Sequence, residues 1–166
     1  MLSCLPQEDL GSERGNLSIC LREYDRSIIT IRNTIHMNKV DIIKSFVINK
    51  LGCNCPAEVF NVIKCQKDVQ INGNIILNYK INIGNRLLIY IIDIEDAIFL
   101  NHNLLKVIRI GINERNDNNF NRFRIVIISN NITEIGPIAQ NVFNNLNIDN
   151  DQKVHLHVMQ KTDIVL

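Results

Sequence analysis

Residues 121–148 read NRFRIVIISNNITEIGPIAQNVFNNLNI, and the way this stretch is taken decides the fold. In "RFRIVIIS" the apolar Phe123, Ile125 and Ile127 recur at every second residue, the period of a strand with one face buried. After the polar "SNN" the period lengthens. Ile135, Ile138, Val142 and Leu146 then fall on one helical stripe. Thr133 is the expected cap, and Pro137 is expected within the first turn, where a missing N–H costs least. "KVHLHVMQ" follows as another strand. Upstream, "LLKVIRIGI" from Leu104 reads as a β-rich run, and "NERNDNNFN" reads as a polar loop joining it to "RFRIVIIS". The second half therefore has the order β-β-α-β.

The first half repeats that order. "LSICLR" alternates Leu17, Ile19 and Leu21 with polar residues, and "SIITIRN" completes a hairpin. "NKVDIIKSFVINKLG" carries Val40, Ile43, Val47 and Leu51 on one helical stripe. Asn38 can cap its start, and Gly52 can take the left-handed conformation that ends it. "VFNVIKC", the turn-rich "QKDVQINGN", "LNYKINIGN" and the strongly apolar "RLLIYIIDI" close the repeat, and "EDAIFLNHN" reads as a connector.

Composition narrows the function classes. The chain has 166 residues, 46% of them apolar and 21% charged, which allows a real core and argues against global disorder. Its 30 Ile and 25 Asn read as an imprint of nucleotide bias, so no single Ile or Asn is given functional weight. The net charge of +1 sets up no field that would draw in nucleic acid or an anionic membrane. The opening "MLSCLPQEDLGSERG" lacks the basic and apolar regions of a secretory signal, and no apolar run approaches the ~18 residues of a membrane span. With five cysteines, an odd number, a disulfide framework is disfavoured. A reduced, cytoplasmic location is the expectation.

A hairpin, a crossing helix and a third strand parallel to the first is the arrangement of the ubiquitin-like β-grasp superfold, and residues 17–94 resemble it in the spacing of their elements. Val107–Ile148 is similar to the opening of Ras-association domains: an Arg-bearing first strand, a long loop, a basic second strand and a Thr-initiated helix. That resemblance implies protein–protein recognition, with a Ras-family GTPase added edge-on to the second strand. Arg109, Arg122 and Arg124 match the family's basic positions. Asn144 and Asn145 stand where the family often has a basic residue.

The fold expected is thus α+β, with two ubiquitin-like β-grasp domains, the second lacking its last strand. The divisions are a flexible segment over 1–15, a β-grasp domain over 16–94, a connector over 95–103 and a Ras-association-like domain over 104–166. Three readings account for the missing strand: cover by a partner chain, cover by the first domain's sheet, or, the one favoured, a chain that is a fragment of a longer protein. Neither enzymatic activity nor a cofactor is expected, since the chain holds no phosphate loop, serine elbow or zinc-protease helix. Cys53, Cys55 and Cys65 lack the second close pair of a zinc site. His155 and His157 share a strand face but have no predictable third ligand. Two alternatives stand beside this reading. One is an RNA-binding protein, because "VQINGNIILNYKINIGNRLLIYI" also looks like the closing hairpin of S4-type domains. The other is a small viral structural or matrix protein.

Overall fold

The computed structural model describes residues 39–146, 152–164 and 166 of the chain. Five strands form one mixed sheet in the order in which they occur: β1 (Ile63–Asn72), β2 (Ile75–Ile83), β3 (Leu87–Asp93), β4 (Arg122–Ser129) and β5 (Val154–Gln160). β1, β2 and β3 form an antiparallel meander, whereas β4 is parallel to β3 and β5 is parallel to β4. Parallel neighbours need crossovers, and helices supply them. Helix α2 (Ala97–Asp117) links β3 to β4, and α3 (Ile132–Asn144) links β4 to β5. Helix α1 precedes the sheet; it is described from residue 39 and closes in a π-helical turn at Phe46–Lys50.

Strand order advances in one direction, so two crossovers of the same hand must leave both helices on the same face. The core on that face holds Leu100, Leu104, Val107 and Ile108 of α2 with Ile135 and Ala139 of α3. They pack on Leu88, Tyr90 and Ile92 of β3 and on Phe123, Ile125 and Ile127 of β4. The opposite face carries Ile81, Ile83, Leu87, Ile89, Ile91, Val126 and Ile128, covered by Ile43, Phe46, Val47 and Leu51 of α1 and by Val59 and Phe60. β3 is thus buried on both sides, and "RLLIYIIDI" reads as a continuous apolar run for that reason.

Several expectations hold. β4, α3 and β5 lie where the period changes placed them, with Phe123, Ile125 and Ile127 on one face. Ile135 is fully buried, and Ile138, Val142 and Leu146 pack around it. Gly52 ends α1 with φ +62°. The hairpin from "LSICLR" and "SIITIRN", the lead-in over 1–15 and the Asn38 cap lie outside the described residues.

Other expectations are corrected. "LLKVIRIGI" is not a strand but the middle of α2. Leu100, Leu104, Val107, Ile108, Gly111 and Arg115 are its buried positions, a helical spacing that the β-branched residues between them disguised. The helix begins in the supposed connector, where Asp96 Oδ1 accepts from Ile98 N at 2.8 Å and Phe99 N at 3.2 Å. It then runs through "NERND" in the supposed loop. The N-cap of α3 is Asn131 rather than Thr133, so Pro137 lies beyond the first turn. The boundary expected between 94 and 104 does not divide two sheets, because β3 and β4 pair over Leu87–Asp93 and Arg122–Ile128. The described residues therefore form an α+β unit with one five-stranded sheet, not a tandem in which a second sheet lacks a strand.

Candidate functional site

The three arginines singled out in the sequence do not form one surface. Arg109 lies on α2 and is exposed. Arg122 and Arg124 lie on β4, opposite Leu87 and Ile89 of β3, and so on the sheet face that α1 covers. Arg122 is exposed, whereas Arg124 is only 4% exposed. β4 is hydrogen-bonded to β3 on one side and to β5 on the other. Edge-on pairing to Arg122–Ile128 is therefore closed, because the backbone groups it would use are already occupied.

An open edge lies elsewhere. Among the described residues β1 has a neighbour on one side only. It is ten residues long, and Lys64, Gln66, Lys67, Asp68 and Gln70 along it are exposed. Val62 just before it and Ile76 just after its turn are large apolar side chains, 45% and 53% exposed. The outer half of the strand is irregular, with Asp68 at φ 51° and a register shift between Gln70 and Asn72. Such breaks blunt an edge. The segment Ile63–Lys67 is regular.

The hairpin of β1 and β2 is held from both faces of the sheet. Lys67 Nζ sits 4.9 Å from the Tyr79 ring centroid, and Tyr79 Oη donates to Leu166 O at 2.8 Å. On the other face Lys80 Nζ meets Glu114 Oε1 of α2 at 2.6 Å, and Tyr90 Oη donates to the same carboxylate. Burial, and then Glu114, hold the Tyr90 hydroxyl well above the ordinary tyrosine range. β2 leaves β3 before Tyr79, and there Asp93 N donates to Asn78 Oδ1 at 2.7 Å.

At the carboxyl ends of β3, β4 and β5, where open sheets with parallel strands commonly bind ligands, charged side chains gather and pair with one another. Lys161 Nζ lies 2.9 Å from Asp93 Oδ2 and 2.6 Å from Glu95 Oε1. Ser129 Oγ donates to Glu95 Oε2 at 2.8 Å, and Asn130 N donates to the same carboxylate at 3.1 Å. Lys161, followed by these donors, draws the Glu95 pKa down to about 2. The two hydrogen bonds to Asp93 and Glu95 raise that of Lys161. The cluster ties the end of β5 to β3 and β4. Sequence reading had missed it because its members lie far apart in the chain and none is preceded by a motif.

His155 and His157 share a face with Arg124 and Val126. Burial first, then Arg124 and His155, lower the His157 pKa to about 4. Among the described residues no three His, Cys, Asp or Glu side chains converge as a metal site would require. Cys53, Cys55 and Cys65 are free thiols. No described helix is long and apolar enough to cross a membrane. No family model, curated protein or solved structure matches the chain.

Proposed function

We propose that this chain is a protein-recognition module whose partner adds a strand at the open edge of β1. The observation that carries the reading is the ten-residue β1, paired on one side only among the described residues and flanked by the exposed Val62 and Ile76. Strand addition satisfies unpaired backbone N–H and C=O groups, and apolar side chains at the ends of the strand anchor the added chain. Lys64 and Lys67 lie along the regular segment and favour an acidic partner strand. A Ras-family GTPase is the first partner to test because the sequence resemblance implies one; the first strand of that resemblance is helix α2 and its second is interior, so the pairing strand proposed is β1.

The test is binding of the full chain to Ras-family GTPases in both nucleotide states, followed by amide hydrogen exchange. Slowed exchange confined to Ile63–Lys67 on binding, and an affinity loss of about tenfold for K64E/K67E, mostly through slower association, are expected. Unchanged exchange along β1 in a complex that forms would refute the edge. Binding to RNA that falls steeply with salt would favour the S4-like alternative instead.

A further inference from the structure

A second feature lies at the other end of the hairpin, where β2 turns into β3. Gly84 has φ +58°, and a Cβ built there would lie 3.1 Å from Val59 Cα. Only glycine lets the short 3-10 turn Ala57–Asn61 press this close, and Gly84 N donates to Val62 O at 2.7 Å across the contact. Arg86 leaves the same turn, and its carbonyl accepts from Arg122 N at 3.0 Å, which brings the start of β4 alongside. These approaches enclose a crevice of about 150 Å³ whose lining includes Asn54, Cys55, Arg86, Leu87, Asn121 and Arg122.

Among the described residues no acidic side chain lines the crevice. Arg124 follows Arg122 on the same sheet face and is 4% exposed, and among the described residues its Nε and Nη1 have no hydrogen-bond partner. Its charge reaches into the crevice lining: burial and Cys53 push the Cys55 thiol pKa up, while Arg122 and Arg124 pull it down. A buried guanidinium raises the positive potential around it, and an anion nearby offsets that charge, while the guanidinium groups of Arg86 and Arg122 in the lining can make charge-assisted bonds to it. Clefts for drug-sized ligands have volumes of roughly 300–1,000 Å³, so this one is scaled to a single small group.

We propose that this crevice is an oxyanion site that takes one phosphate-sized group, held by the exposed Arg86 and Arg122 that line it, with the buried charge of Arg124 two residues further along β4. Asn54 and Asn121 can add neutral donors at the rim. The site is independent of strand addition at β1 and stands or falls separately from it. Its phosphate can come from the free ion or from a phosphorylated segment of a partner, since both present the same oxygens.

The experiment is a titration of the full chain with inorganic phosphate at constant ionic strength, read by thermal denaturation and by backbone amide chemical shifts. Wild-type chain should show a saturable rise in Tm and shifts concentrated at residues 54–55, 86 and 121–124. The double variant R86Q/R122Q alters two exposed side chains, so it should fold and lose at least tenfold in phosphate affinity. Phosphate should also slow alkylation of Cys55 in wild-type chain and not in the variant. A rise in Tm that does not saturate and is equal in both proteins would be a general salt effect and would overturn the proposal, as would shifts scattered away from the crevice. A phosphoserine peptide titrated in parallel identifies the source. Tighter binding than inorganic phosphate assigns a modified partner, and weaker binding assigns the free ion.

Discussion

Replacing Gly111 with alanine should destabilise the protein, although alanine is the better helix former. Gly111 is buried on α2, and a Cβ built there falls within 2.6 Å of three ring carbons of Phe123. That ring is itself fully buried and stands edge-on to Tyr90, with centroids 5.0 Å apart at 81°. It has nowhere to retreat. In an unconstrained helix, Gly→Ala would add about 0.8–1 kcal/mol from propensity, and burying a methyl adds about 0.8 kcal/mol more. Against that, overpacking a tight core costs typically about 1–3 kcal/mol and occasionally more. Here the added carbon meets three rigid ring atoms rather than a flexible chain end, so the overpacking cost should lie at the upper end, about 3 kcal/mol, and leave a net loss of about 1 kcal/mol once the two gains are subtracted. At this chain length that lowers Tm by roughly 2–4 °C. Urea denaturation should show a lower midpoint with an unchanged slope. Two companions isolate the cause. N113A, at an exposed site on the same helix, should be neutral or slightly stabilising, and G111A placed in an F123L background should lose most of its cost. If G111A raises the midpoint in the wild-type background, the packing of α2 against β4 described here is wrong.

Four further outcomes follow from the same geometry. Asp96→Ala removes the side chain that caps α2 through Ile98 N and Phe99 N, and should cost about 1 kcal/mol in urea denaturation; no loss would mean that the helix starts elsewhere. Gly84→Ala forces a side chain into φ +58° and against Val59, and should lower the denaturation midpoint more than Gly73→Ala, where the turn has open space. His157 is held neutral, with its pKa lowered to about 4, whereas the unfolded chain takes up that proton near pH 6.5. The unfolded state thus binds more protons in this window, and stability should fall as pH drops from about 6.5 towards 4. His157→Gln should flatten that limb, while Glu95→Gln, which removes a carboxylate held near pKa 2, should leave it in place and alter the more acidic limb between about 4.5 and 2. Arg124→Met should raise stability in phosphate-free buffer by about 1–3 kcal/mol, because it removes a buried cation with two unanswered donors; a clear loss would mean that the charge is compensated.

The sequence by itself determined the elements whose apolar period was clean. β4, α3 and β5 follow from Phe123 to Val158 because each segment buries one face, and a period of two or of 3.6 residues is how one buried face appears in a chain. Gly52 could be placed for a similarly local reason, since few residues other than glycine accept a left-handed turn. α2 was not legible in this way. Its stretch from Leu104 to Ile112 is crowded with β-branched residues, and only the Asp96 cap far upstream marks it as helix. Tertiary structure alone decided which strands are neighbours, because pairing joins residues as distant as Leu87 and Arg122 and leaves no periodic trace. That single pairing merges the two expected domains into one sheet and turns β4 from an edge into an interior strand, leaving β1 and β5 as the edges of the sheet among the described residues. It also separates the three arginines. Arg109 leaves on a helix, Arg122 remains exposed, and Arg124 is buried between β3 and β5, because the burial of a side chain is set by what packs over it and not by its own polarity.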